Sequence, residues 1–115
     1  MDFAWDAKTS SVVGHLALEP GFHAYGPGEQ TGKPISLEIT GTAWNVQEVQ
    51  LPPAQKKDLG ELGTSFVLTG NIEVKGRLGA SGDAKAPVVG KLNYQVCSDT
   101  SCDRPRSASF NLTPG

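Results

Sequence analysis

The segment PISLEIT, residues 34–40, alternates apolar Ile35, Leu37 and Ile39 with polar Ser36, Glu38 and Thr40. A period of two sends successive side chains to opposite faces, so the segment reads as a half-buried strand and not as a helix with one apolar stripe. NIEVKGRL (71–78) repeats the pattern, with Ile72, Val74 and Leu78 inward and Gly76 taking an inward place. SVVGHLALE (11–19) follows it more loosely, and SASFNL (107–112) groups Ala108, Phe110 and Leu112. NVQEVQL (45–51), TSFVLTG (64–70) and VVGKLNYQV (88–96) bring the number of short strands to about seven. Between them the 14 glycines and 8 prolines are scattered as turn punctuation, with no low-complexity tract. This pattern predicts an all-β chain, an immunoglobulin-like β-sandwich of about seven or more short strands. Only Pro53 to Leu59 reads as helical, for one or two turns.

A chain of 115 residues suits one domain, residues 1–115, around one core, and it does not need a covalent staple to fold. Net charge is −2, from 10 basic and 12 acidic residues that interleave. No contiguous positive surface is available for nucleic acid or an anionic membrane, so neither is expected as a partner of this segment. No apolar run approaches the ~20 residues that span a bilayer. The start, MDFAWDAK, lacks the regions of a signal peptide, which leaves a cytosolic chain or a piece of a longer one.

The only two cysteines, Cys97 and Cys102, flank the four-residue stretch SDTS at what reads as a hairpin tip. Strand parity sets Val88, Gly90, Leu92, Tyr94 and Val96 on one face and Val89, Lys91, Asn93, Gln95 and Cys97 on the other, so Cys97 is expected on the polar face. With SDTS as the loop the two cysteines sit opposite one another, at a separation a disulfide tolerates. Parity counted back from Phe110 puts Cys102 on the core side, so Pro105 or a bulge beside it is expected to shift the register. A bond closing so short a loop is worth roughly 2 kcal/mol.

Three readings of the pair stay open on these grounds: a hairpin clip, a redox couple, or part of a zinc site. His15 and His23 lie far upstream and lack the paired close spacing of zinc ligands, so no metal or other cofactor is expected. No Gly-x-Ser-x-Gly elbow marks a hydrolase nucleophile, and GPGEQTG (26–32) lacks the lysine of a phosphate loop. Trp5 and Trp44 read as core packing in preference to a sugar-binding face.

Two stretches together carry a resemblance. EPGFHAYGPGEQTGKPISLEI (19–39) resembles the early strand pair of the disulfide bond corrector-like family, that of the N-terminal periplasmic domain of thiol:disulfide interchange protein DsbD. LNYQVCSDTSCDRP (92–105) resembles the family's active-site hairpin, in which a Tyr-Gln-x-Cys segment is followed, after a short loop, by a second Cys and then proline. The likeness runs from about Gly14 to Leu112. It implies an immunoglobulin-like domain in the periplasm or another extracytoplasmic compartment, with protein-disulfide reductase activity of the interchange type. Reducing equivalents would pass from a thioredoxin-like donor domain to oxidised thioredoxin-fold partners.

On the matching positions, Cys97 and Cys102 correspond to the redox pair, and Cys102 to the member that forms mixed disulfides. Phe22 and Tyr25 correspond to aromatic positions that shield the sulfurs; Asp99, Arg104 and Pro105 flank them. Here the inter-cysteine loop is shorter than in the best-known member, and CDRP replaces a more apolar continuation. The family's acidic capping loop would fall around Lys56 to Leu62, with no role assigned to Lys57, Asp58 or Glu61. Asp99 and Asp103 would raise a nearby thiol pKa, whereas Arg104 and Arg106 would lower it. The rival reading is a non-catalytic exported β-sandwich, a binding or adhesion module whose hairpin disulfide is structural.

Overall fold

A computed structural model describes residues 1–27, 29, 32–58, 60–98 and 100–114. Among these, ten strands run in the order β1 (Asp2–Asp6), β2 (Ser11–Ala17), β3 (Ala24–Tyr25), β4 (Ser36–Ile39), β5 (Trp44–Gln50), β6 (Gln55–Asp58), β7 (Thr64–Leu68), β8 (Asn71–Ala80), β9 (Val88–Tyr94) and β10 (Arg106–Leu112). A 3-10 turn, Gly60–Leu62, lies between β6 and β7. All seven strands expected from alternation are present. The three additional ones are β1, the two-residue β3, and β6, whose Gln-Lys-Lys-Asp sequence is exposed throughout and offers no apolar alternation to read. β6 also replaces the helical turn expected over Pro53 to Leu59. Pairing with β7 from Gln55↔Val67 to Asp58↔Thr64 holds the segment extended; Leu59 lies outside the described residues.

Every ladder is antiparallel. One sheet has the order β1-β2-β8-β5, a second β10-β9-β4 and a third β3-β7-β6. The first two face each other as a sandwich. Val12, Trp44 and Leu78 of one meet Val88 and Phe110 of the other, and the Phe3 and Phe110 rings stand 4.8 Å apart across the gap. Trp44 is buried edge-on to Trp5 and donates its indole N–H to the Ala86 carbonyl, so both tryptophans serve packing. Ile35, Ile72, Val74, Leu92 and Phe110 are buried and Leu37, Ile39 and Leu112 half-buried, as the alternation requires.

The third sheet joins this core on one face only. Ala24 and Leu68, paired across β3 and β7, pack with Leu16, Ile72 and Leu92. Their neighbours Tyr25 and Val67, also paired, point the other way and form a separate cluster with Cys97. Alternation along a two-residue strand thus gives the third sheet one face for the sandwich and one for the cysteine hairpin.

Candidate functional site: a half-buried cysteine pair

Cys97 and Cys102 are joined by a disulfide with Cα atoms 4.0 Å apart. The hairpin around them is tied on both sides. Ser98 N–H donates to the Ser101 carbonyl at 2.8 Å and Asp103 N–H to the Val96 carbonyl at 2.9 Å, which makes Cys97 and Cys102 a non-hydrogen-bonded antiparallel pair. Inside the loop the Ser98 hydroxyl accepts the backbone N–H groups of Thr100 and Ser101. Asp99 lies outside the described residues.

The expected register shift is present. Tyr94 pairs with Arg106 and Cys97 with Cys102, so three steps along one side face four along the other, and the extra residue falls within Asp103, Arg104 and Pro105. Gln95 braces this bulge: its amide N–H donates to the Asp103 carbonyl and its amide oxygen accepts the Lys33 N–H, both at 3.0 Å. The glutamine of the Tyr-Gln-x-Cys segment therefore holds the hairpin to the chain leading into β4. Tyr94 packs half-buried against the sandwich core.

One expectation is corrected. Parity places Cys97 on a polar face, yet it is 1 % exposed. β9 ends at Tyr94, and beyond it the chain leaves β10 to pair with His23: each residue donates its N–H to the other's carbonyl at 2.9 Å. The face that would otherwise meet water is covered by Tyr25 and Val67 of the third sheet. Cys102 is exposed on the outer side of the bond. The two residues of one disulfide thus differ sharply in exposure.

Directly paired antiparallel residues project to the same side of a sheet, so His23, Cys97 and Cys102 form a cross-strand row. Tyr25, two residues from His23, shares that side. Its hydroxyl lies 3.0 Å from His23 Nε2, and the rings meet edge to face at 5.1 Å. Burial, with the nearby Glu29 carboxylate, raises the Tyr25 pKa above 10.0. Glu29 accepts hydrogen bonds from the Ser65 hydroxyl and the Phe66 N–H, at 2.7 Å for the latter.

Of the two aromatic residues expected at the pair, Tyr25 lies against Cys97. Phe22 is 42 % exposed in the turn before His23 and lines a cleft of about 260 Å³ with Leu18, His23 and Lys57. Arg104 and Pro105 are exposed within the bulge. Asp103 is committed elsewhere: Arg106 Nε donates to its Oδ2 at 2.7 Å and the Arg104 N–H to its Oδ1. The Arg106 contact, with the Arg104 N–H, holds the Asp103 carboxyl below its ordinary value. Spacing in the sequence bears on His23 only as a metal ligand; its parity with Tyr25 in FHAY is the signal that the two side chains share one side of the sheet. Among the described residues no three His, Cys, Asp or Glu side chains gather as a metal site.

The sequence profile of the family described as thiol:disulfide interchange protein DsbD, N-terminal, matches residues 1–114. The chain belongs to this DsbD N-terminal family. Two solved structures have the same fold. The N-terminal domain of DsbD from Neisseria meningitidis, in its reduced form, aligns with a TM-score of 0.69 at 17 % identity, over 98 % of this chain and 82 % of that one. The N-terminal periplasmic domain of ScsB from Proteus mirabilis aligns with a TM-score of 0.59 at 19 % identity, over 93 % of this chain and 43 % of that one. No match was found among curated protein sequences. The β-sandwich is thus the immunoglobulin-like fold of the DsbD N-terminal family, and the disulfide sits in a family of thiol:disulfide interchange proteins.

Proposed function

We propose that this chain is an extracytoplasmic thiol:disulfide exchange domain that relays reducing equivalents through Cys97 and Cys102 from a thioredoxin-fold donor to oxidised thioredoxin-fold proteins. The observation that carries this reading is the unequal burial of the pair: Cys102 is exposed and Cys97 is 1 % exposed. Exchange requires a thiolate to approach one sulfur of a disulfide in line with the bond, and only an exposed sulfur permits that approach. A clip needs no such asymmetry.

The donor thiolate attacks Cys102 Sγ, a mixed disulfide forms, and the electron pair of the internal bond passes to Cys97. The donor's second thiolate then attacks its own sulfur in the mixed disulfide and leaves as a disulfide, so the domain holds two thiols. In the second half, the Cys102 thiolate attacks an acceptor disulfide and Cys97 displaces it, re-forming the internal bond and releasing the acceptor with two thiols. Two electrons and two protons cross in each cycle. Arg104 and Pro105, exposed in the bulge beside Cys102, and Phe22, exposed in the turn before His23, would meet the partner; Tyr25 would keep other thiols from Cys97.

Equilibration with glutathione redox buffers tests this. A relay bond has a potential above about −300 mV, near the glutathione range, whereas a structural bond lies below it. A potential well below that limit would assign the bond to the hairpin's stability and favour the adhesion-module reading.

A further inference from the structure

The face that carries the disulfide continues beyond it. Alternation sends Asn93, Gln95 and Cys97 to one side of the chain, and Cys102, paired directly with Cys97, shares that side. Past the Gln95 brace lies a groove of about 310 Å³. Lys33, Pro34, Tyr94, Pro105 and Arg106 line it, so it spans the lead into β4, the end of β9 and the bulge that follows Cys102. A row of mutually satisfied polar side chains completes the lining. Asn93 donates to Ser36 Oγ at 3.1 Å and to Glu38 at 2.7 Å, and accepts from the Ser107 hydroxyl at 2.6 Å.

The chain as a whole has a net charge of −2, but the rim of this groove has the opposite sign. Among the described residues, Lys33 has no ion-pair partner. Arg104 and Arg106 share Asp103, which Arg106 engages through Nε, leaving the outer end of its guanidinium outside that bond. Glu38 is committed to Lys91 at 3.4 Å and to Asn93. Cations beside Pro34, Tyr94 and Pro105 suit a carboxylate borne on an apolar stem.

Resting on the exchange reading above, the geometry points to this groove as a docking subsite for an acidic segment of the thioredoxin-fold partner, three or four residues from the partner's reacting cysteine. Tyr94 pairs with Arg106 and Cys97 with Cys102, three steps apart, so the groove begins about 10 Å from the disulfide. Three or four extended residues span that distance. A standard interface covers about 800 Å² of each partner, a disc roughly 16 Å in radius. A partner that reaches Cys102 on this face therefore covers the groove as well. Exposed charge pairs of this kind add little affinity and act on orientation and encounter rate. That suits a relay, which must release its partner in every cycle.

The test uses Cys97→Ser, whose Cys102 thiolate attacks the mixed disulfide of a peptide with thionitrobenzoate. The peptide sulfur bonds to Cys102, and the coloured thionitrobenzoate leaves with the electron pair. Three single-cysteine peptides carry Glu, Gln or Lys at the third and fourth residues on both sides. At about 0.01 M salt the Glu peptide should react about fivefold faster than the Lys peptide, and at about 1 M salt the ratio should fall below about twofold. The net charge of the whole chain favours the Lys peptide, so a preference for Glu reports the local field. Lys33→Glu in the same background should reduce the low-salt ratio to about twofold or less; the structural contact of Lys33 is its backbone N–H, and thermal melts verify the fold. Arg104→Gln, exposed in the bulge, serves as a second variant and should lower the ratio in the same direction. Equal low-salt rates for the three peptides, or a Lys33→Glu variant with the full preference, overturn the subsite. A dimer of the unmodified protein that Lys33→Glu dissociates in sedimentation gives the groove to a second copy and overturns it too. Ready release of thionitrobenzoate at equal rates sinks the subsite alone, whereas no release from any peptide sinks the exchange reading with it.

Discussion

His23 and Cys97 exchange both backbone hydrogen bonds, each at 2.9 Å, and so fasten the cysteine hairpin to the third sheet. The contact is made by main-chain groups and does not involve the sulfurs. Opening the disulfide breaks neither of these bonds, and with them in place Cys97 lies under Tyr25 while Cys102 is exposed.

The two cysteines should therefore behave differently when each is removed. Cys97→Ser leaves exposed Cys102 with no internal thiol to resolve a mixed disulfide, so a covalent complex with an oxidised thioredoxin-fold protein should accumulate on non-reducing electrophoresis. Cys102→Ser leaves only the buried thiol and should trap at least about tenfold less, because access governs exchange. Equal trapping would remove the assigned division of roles.

Reduction should leave the chain folded. The bond closes a short loop and contributes roughly 2 kcal/mol, a fraction of the stability of a domain this size. The thermal midpoint should drop by about 5–10 °C on full reduction, with the far-ultraviolet spectrum of a β-protein retained below it. Loss of that spectrum at 25 °C on reduction would show that the bond is a structural necessity.

Gly32 closes over the ring of Tyr25: a Cβ there would meet Tyr25 Cζ at 2.8 Å and other ring atoms more closely still. Gly32→Ala must displace either the chain or the ring that covers Cys97. The expected loss of stability is about 1–3 kcal/mol, as for overpacking elsewhere in protein interiors. Native-state reduction by a small thiol should become faster in the same variant, as read by alkylation. A stable variant with an unchanged reduction rate would count against Tyr25 as the cover.

Tyr25 should also mark the alkaline limit of stability. Burial first, then the Glu29 charge, raises its folded pKa above the model-compound value of 10.0, so the unfolded chain ionises first. The stabilising effect is complete below pH 10 and is lost as pH rises through the folded value. The difference between unmodified and Tyr25→Phe chains in tyrosinate absorbance should show a midpoint above 10, and denaturation curves of the variant should lose part of the alkaline slope.

At the acid end the sign reverses. Asp103 is held below its ordinary value of 3.8 chiefly by Arg106, and Asp6 below 3.8 chiefly by the Lys8 N–H and the Thr9 hydroxyl. Their contribution is present above the unfolded value and is lost as pH falls through the folded ones, so it should survive at pH 5 and fade only below about pH 4. Asp103→Asn should reduce that acid slope and loosen the bulge beside Cys102. Melting curves between pH 2 and pH 6, compared with the unmodified chain, check both.

Much of this protein is determined locally. The alternation of Ile35, Leu37 and Ile39, or of Ile72, Val74 and Leu78, defines strands and their inward faces because side-chain direction along an extended chain depends only on position. The hairpin and the bulge near Pro105 are equally local: four residues join the cysteines, and a parity conflict with Phe110 demands one extra residue. β3 and β6 are not legible, the first because two residues carry no period and the second because its four side chains all face water. Only the tertiary structure decides which sulfur is hidden. Alternation says that Cys97 and Leu92 point to opposite faces, and this is true, but burial depends on what covers each face. The cover comes from Tyr25 and Val67, distant in sequence and fastened to the hairpin by the two backbone hydrogen bonds between His23 and Cys97, a long-range pairing that no local pattern encodes.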